Sequence, residues 1–462
     1  MTPAQVVKVF ATIQSPDYDC PWQMLPSMES SGSGVLIEGR RVLTGAHVIA
    51  DATFVQVQKT TSPRKFIARV IAAAHDCDLA LLEVKDPAFW RDAEVATLGD
   101  LPMLRDTVVV VGFPIGGEEV SYTQGVVSRI EVQNYTHSHQ RLLAITVDAA
   151  INPGSSGGPA FDAEGRMVGI AFQKRSDADN IGHLVPAVLV RRFLAAVEQG
   201  RPLDLPSLGL RGQTLENDTL RRALGLGPDE EGVRVIAVGY GGSAWRRLRP
   251  DDVIVAIDGM AVANNGTVLY QGQVRTALSV ALSACQVGDL LPVEILRGGH
   301  RQTVNLRLAT APVLVPRDQY DVLPRWLMYA GVVMQPLTYN YLGTWESLRD
   351  APRELVTIYR RGLRSPKQRE AIVIGQVLAH AVNVDYDCFA DETVVAINGE
   401  APSDLAHVAA LLDQATGDVR IETSSGGLMA FDATEARAAT ERIRRRYRLP
   451  ADRSETLVMA AD

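Results

Sequence analysis

The run Ile151-Asn152-Pro153-Gly154-Ser155-Ser156-Gly157-Gly158-Pro159 sets a serine among glycines, directly ahead of the apolar pair Ala160-Phe161 and the turn Asp162-Ala163-Glu164-Gly165. Glycines on both sides let a backbone approach a substrate closely and take dihedrals closed to other residues. Such a loop suits a serine nucleophile, with the amides of Gly154 and Ser156 directed into one space to stabilise an oxyanion. A serine hydroxyl is inert at neutral pH without a general base, so a histidine and a carboxylate must come from elsewhere in the chain.

Two upstream segments offer them. In Ser33-Gly34-Val35-Leu36-Ile37-Glu38-Gly39-Arg40-Arg41-Val42-Leu43-Thr44-Gly45-Ala46-His47, apolar β-branched runs flank a Glu-Gly-Arg turn, the pattern of a β-hairpin ending in small residues before His47. In His75-Asp76-Cys77-Asp78-Leu79-Ala80-Leu81-Leu82-Glu83-Val84, Asp78 immediately precedes a short apolar strand, where its carboxylate would bond the far ring nitrogen of His47. Asp76 competes for that role. Each residue also has a plainer reading: a structural histidine, a strand-capping aspartate, a tight turn or anion-binding nest around the serine. Their combination, in the order His, Asp, Ser within one β-rich stretch, favours a His47-Asp78-Ser156 triad.

These blocks resemble those of trypsin-like serine proteases, and specifically the HtrA/Deg family. The likeness rests on Thr44-Gly45-Ala46-His47, Asp78-Leu79-Ala80-Leu81 and Gly154-Ser155-Ser156-Gly157-Gly158-Pro159, with Val126-Val127-Ser128-Arg129-Ile130 and Val168-Gly169-Ile170-Ala171-Phe172 beside them. Gly112-Phe113-Pro114-Ile115-Gly116-Gly117 and Tyr329-Ala330-Gly331-Val332-Val333 point to the plant-type Deg proteases with two PDZ-like modules. The resemblance implies a mainly β protein with α+β modules: a chymotrypsin-like double β-barrel protease followed by two PDZ-like domains. It also implies an ATP-independent serine endopeptidase acting on unfolded or damaged proteins, working as a homo-oligomer and needing no cofactor or metal. A chaperone or peptide-binding scaffold with a latent protease domain is the alternative. Ser155 stands where the family usually has asparagine and zymogen-type trypsins an aspartate. Activation by a new N-terminus pairing with that aspartate is therefore not expected, and the resemblance implies ordering of the oxyanion loop by other loops or by subunit contacts. In the trypsin-like fold the primary pocket would be lined by Ala150, Ile151 and the strand bearing Ala171 and Phe172, with no acidic residue at its base. Cleavage after small or medium aliphatic residues follows.

The elements that must position these residues read as repeated short strands, with examples at 6–14, 53–58, 66–72, 107–112, 123–130 and 143–148, and with turn residues between them. A helical spacing over 187–199 ends at Gly200 and closes a protease domain spanning 1–200. After the proline-bearing linker 201–206, Leu208-Gly209-Leu210 resembles the carboxylate-binding loop that opens HtrA-type PDZ domains, which capture peptides by adding them to a sheet edge. Strands are expected at 232–238, 291–296 and 303–308, a turn-strand-turn over 248–259 and a helix at 274–284, completing a PDZ domain over 207–312. A second linker, 311–324, leads to a degenerate PDZ-like copy over 325–462. There 394–399 repeats 253–259, but the opening loop Gln335-Pro336-Leu337 carries a proline and no glycine, which suits subunit contacts better than carboxylate capture.

Composition sets outer limits. The 462 residues are 46% hydrophobic and 22% charged, as in ordinary globular proteins, and the formal charge of −8 argues against nucleic acid as a main partner. Glu441-Arg442-Ile443-Arg444-Arg445-Arg446-Tyr447-Arg448 reads as a solvated helix face. Four scattered cysteines, Cys20, Cys77, Cys285 and Cys388, suggest neither a disulfide framework nor a metal site. His137-Ser138-His139 lacks a third ligand and reads as a polar loop, His75 as a surface residue and His183 as structural. No apolar run is long enough to span a bilayer. The first ten residues lack signal-peptide features, so a cytoplasmic setting is favoured, or a periplasmic one if a leader has been removed.

Overall fold

The computed structural model describes residues 3–114, 119–149, 151–174 and 181–458. The chain divides into two compact units, residues 1–13 with 27–311, and 14–26 with 312–462.

The first unit opens with two closed six-stranded barrels. Strands β1 (Val6–Ile13), β2 (Met28–Ile37), β3 (Arg41–Thr44), β4 (Ala52–Lys59), β5 (Lys65–Ala74) and β6 (Leu79–Glu83) close in the order β1-β2-β3-β6-β5-β4. The short helix α1 (Ala46–Ile49) follows β3. Strands β7 (Thr107–Gly112), β8 (Ser121–Asn134), β9 (Arg141–Val147), β10 (Pro159–Phe161), β11 (Met167–Lys174) and β12 (Gly182–Pro186) close in the order β10-β11-β12-β9-β8-β7. The expected double barrel is therefore present, with helix α2 (Ala187–Gln199) ending at Gly200, whose φ of 61° suits a glycine cap. Leu79 and Leu81 of the first barrel, Tyr135 and Phe161 of the second, and Phe193 of α2 are fully buried in one apolar cluster that joins the barrels. Two closed barrels leave no open sheet edge and give loops from each a common rigid base.

The module that follows contains β13 (Leu210–Thr214), α3 (Asp218–Ala223), β14 (Val233–Val238), β15 (Val253–Ile257), β16 (Met260–Ala261), β17 (Thr267–Tyr270), β18 (Val274–Ala277), β19 (Leu290–Arg297) and β20 (His300–Arg307). Its main sheet runs β13-β14-β15-β19-β20, so β13 is an edge strand, as addition of a peptide would require. The helix expected over 274–284 is not there. Residues 274–277 form β18, paired with β17, and Leu278–Leu282 is a 3-10 turn. Alternate residues Val274 and Thr276 point inward, a period of two that the apolar run alone did not reveal. Tertiary contact fixes the choice: the Thr276 hydroxyl accepts the Val132 amide at 2.7 Å, and Val274 and Val280 share a core with Val132, Leu143 and Ile145 of the second barrel.

The second unit contains β21 (Leu327–Tyr329), β22 (Val332–Pro336), α4 (Tyr339–Leu342), α5 (Arg353–Arg361), β23 (Ile372–Val377), β24 (Val394–Ile397), α6 (Leu405–Gln414), β25 (Asp418–Thr423), β26 (Leu428–Asp432) and α7 (Ala433–Tyr447). Asp404 caps α6 by accepting the His407 amide. Helix α7 carries the arginine run, with Arg444 and Arg445 paired to Glu441 on an exposed face. Segment 14–26, which separates β1 from β2 in sequence, packs within this unit: Gln335 Nε2 donates to the Tyr18 carbonyl at 2.9 Å, and Trp22 meets Trp326 edge-on. Gln335, expected in an opening loop, instead lies in β22 paired with Val373 of β23, and its side chain is engaged by the chain itself. No helix among the described residues is long and apolar enough to cross a membrane.

Candidate active site

His47 lies on α1, one turn beyond the hairpin β2–β3. Asp78 closes a single 3-10 turn, His75–Cys77, in a left-handed conformation at φ 56° and ψ 45°. Aspartate tolerates that region better than most residues, because its short polar side chain bonds locally. The left-handed step turns the carboxylate toward α1 just before β6 begins. Asp78 Oδ1 accepts the His47 backbone amide at 2.8 Å, and Nδ1 of the ring lies 2.7 Å from Oδ2 and 2.9 Å from Oδ1. With Nδ1 donating, the proton-accepting lone pair falls on Nε2. The Asp78 side chain is 1% exposed and that of His47 28%. Burial alone would push the Asp78 carboxyl up, but the His47 charge and hydrogen bonds hold it below its ordinary value. For His47, burial pushes the imidazole down, and the Asp78 charge and hydrogen bond outweigh this and hold it above its ordinary value. A strongly oriented base with raised proton affinity results.

Between His47 and the serine loop lies a cavity of ≈ 380 Å³ lined by His47, Thr136, His137, Ile151, Asn152, Pro153, Ser156 and Phe172. The loop itself is tightly held. Ser33 of β2 donates its amide to the Ser156 carbonyl at 2.8 Å, and its hydroxyl donates to the Gly154 carbonyl at 2.8 Å while accepting the Phe113 amide. Gly154 has φ 92°, where any side chain would be strained. A Cβ on Gly157 would run into Ser33 O and Thr44 Oγ1, so the first barrel presses directly on the backbone after the serine. Among the described residues neither the Gly154 nor the Ser156 amide donates to a backbone carbonyl.

Of the residues expected to form the primary pocket, Ile151 and Phe172 line the cavity, and Phe172 stacks on Tyr135 with ring centroids 4.2 Å apart. Ala171 acts through its backbone, exchanging hydrogen bonds with Gly157 and Gly158. Ala150 lies outside the described residues. Leu208, Gly209 and Leu210 sit at the start of the edge strand β13, with Gly209 at φ 68° and its amide held by Ser207 Oγ. His183 is buried on β12 beside Thr146.

Other features escaped the sequence. His75 is half-buried rather than a surface residue: its Nδ1 lies 3.0 Å from His137 Nε2, and the His137 ring lies 6.0 Å from that of His47. His137, in the loop between β8 and β9, therefore also forms part of the cavity wall. Asp76, the competitor for Asp78, turns away from His47. Its carboxylate accepts the Leu205 amide and Gln140 Nε2, and its carbonyl accepts Ser138 Oγ. The carboxylate that meets His47 is that of Asp78, the one favoured from its place directly before an apolar strand.

The chain matches two family models: a trypsin-like peptidase domain over residues 32–170 and a PDZ domain over residues 315–456. It is 36% identical over 447 residues to Protease Do-like 4, mitochondrial, of Arabidopsis thaliana, covering 96% of this chain and 84% of that protein. It is 36% identical over 458 residues to Protease Do-like 2, chloroplastic, of the same plant, covering 98% and 75%. Among solved structures it is similar to HtrA-type protease AlgW with decapeptide, with a TM-score of 0.51 and 25% identity over 67% of this chain and 97% of that one.

Proposed function

Because the chain belongs to the Do-like (Deg) family of HtrA-type serine proteases, and is accordingly a serine endopeptidase, we propose that His47, Asp78 and Ser156 carry its catalysis. Ser156 Oγ attacks the scissile carbonyl while His47 Nε2 takes its proton. The developing oxyanion is held by the Gly154 and Ser156 amides, and His47 returns the proton to the leaving amine. Water then releases the acyl group by the same steps in reverse roles. Asp78 stays ionised and stabilises the imidazolium formed at each transfer. The observation that carries this reading is the buried Asp78–His47 pair opening onto the cavity that Ser156 also lines.

Ile151 and Phe172 give the pocket an apolar wall, which supports cleavage after small or medium aliphatic residues. Substrates are unfolded or damaged proteins, cleaved without ATP, and the edge strand β13 after Leu208-Gly209-Leu210 offers a place for an extended peptide. That module corresponds to residues 207–312, after a protease domain over 1–200 and before the PDZ-like domain over 325–462. The protein works as a homo-oligomer. Casein digestion by the natural chain and by Ser156→Ala tests the catalytic assignment. Loss of digestion with the fold retained is expected, and equal digestion by both would overturn it.

A further inference from the structure

Asp76 stands two residues before Asp78, and its hydrogen bonds lead away from the cavity. Its Oδ2 accepts the Leu205 amide at 3.2 Å and its Oδ1 accepts Gln140 Nε2 at 3.1 Å, while its carbonyl accepts Ser138 Oγ at 2.8 Å. One side chain thus joins the turn that presents Asp78 to the loop between β8 and β9 and to the linker entering the β13–β20 module. The linker is gripped again one residue earlier. Arg192 of α2, 3% exposed, donates to the carbonyls of Leu203 and Asp204 and to that of Cys285, which follows the module's 3-10 turn. Gln286 returns a bond to the Arg192 carbonyl at 2.7 Å. A continuous path therefore runs from Cys285 and Gln286 through Arg192, Leu203–Leu205 and Asp76 to Asp78 and His47.

We propose that Asp76 is a positioning residue: by tying the turn that presents Asp78 to Leu205 of the linker and to the loop between β8 and β9, it fixes the placement of Asp78, so that its loss alters catalytic rate. This rests on the triad reading above. A buried backbone amide that loses its acceptor moves to find another, and Leu205 cannot move without releasing the turn that holds Asp78. Displacements of an oriented catalytic group by about 1 Å cost on the order of 100-fold in rate, so modest slack in the turn is enough to be read in kcat. Asp76 acts through its geometry as a double acceptor and not through its charge.

The test is steady-state cleavage of a chromogenic peptide by the full chain carrying Asp76→Ala, Asp76→Asn, Gln286→Ala and the Asp76→Ala/Gln286→Ala pair. Asp76→Ala is expected to lower kcat about tenfold or more with KM within about twofold. Asp76→Asn is expected to keep most of the activity, since the new amide oxygen still accepts from Leu205 and Gln140 can turn its own amide to accept from the new NH2 group. Gln286→Ala is expected to lower kcat alone but to add little in the Asp76→Ala background, because both act on one path. Should Asp76→Ala not fold, Gln140→Ala, which removes one bond to the same carboxylate, replaces it in the cycle. Unchanged kcat in Asp76→Ala, equal loss in Asp76→Asn, or fully additive losses would each overturn the proposal. Ser156→Ala separates the two levels: if it retains activity the triad reading itself fails, whereas its inactivity beside an unaffected Asp76→Ala removes only the role of Asp76.

Discussion

Replacing Asp78 by asparagine removes one charge with almost no change in volume, and the geometry dictates how the site responds. Asp78 Oδ1 already holds the His47 backbone amide at 2.8 Å, so an asparagine that keeps this bond turns its NH2 group toward Nδ1, 2.7 Å from the present Oδ2. Nδ1 must then accept, the ring proton moves to Nε2, and Nε2 presents a hydrogen to Ser156 where a lone pair is needed. The lost attraction between carboxylate and imidazolium is about 4 kcal/mol for unit charges about 4 Å apart at an effective dielectric of about 20. The lost charged hydrogen bond adds about 1.5–3 kcal/mol. At about 1.4 kcal/mol per decade, the two together lower kcat by about 10⁴- to 10⁵-fold, the lower end in line with what removing this carboxylate costs such a triad. The assay is kcat on a chromogenic peptide at pH 8, with thermal melting to show that the variant folds. A loss smaller than about 100-fold in a folded variant would contradict the orienting role of Asp78.

Other perturbations reach the same machinery. Because His47 is held above its ordinary proton affinity and must be neutral to act, the acid limb of kcat/KM should have its midpoint above about 6.5; a pH profile with the midpoint near 6 or lower would contradict the raised value. Ser33→Ala strands the buried Phe113 amide and frees the Gly154 carbonyl, costing about 1–3 kcal/mol of stability and lowering kcat as the oxyanion loop loosens; thermal melting and kcat together check it, and an unchanged kcat would show that the loop is held by other means. Peptides differing only at the residue before the scissile bond should be cleaved fastest with alanine, valine or leucine there, and arginine preference would contradict the apolar pocket around Ile151 and Phe172.

How far these features could be read from sequence varied with the range of the forces involved. The double barrel, and the placing of His47 and Ser156 on one cavity, were legible because their signals are local: glycines where the backbone must approach closely, and alternating strands with turn residues between them. Asp78 was favoured over Asp76 by its place before an apolar strand, but the single left-handed residue ending a 3-10 turn that aims its carboxylate at His47 was not legible. The apolar run at 274–284 fitted a helix by spacing, yet β17 and the second barrel impose a strand on its first part. His75 and His137 looked unrelated because 62 positions separate them, and only the closure of the barrels brings their rings together. The association of 14–26 with the distant second unit is likewise absent from local sequence, since its partner Gln335 lies 317 positions away from Tyr18.

Labelling with a serine-directed fluorophosphonate, followed by peptide mapping, tests whether Ser156 is the activated nucleophile. One adduct per chain, located on Ser156 and lost in His47→Ala, is predicted. A folded, proteolytically active chain that takes no label, or takes it on Ser155, would contradict the account.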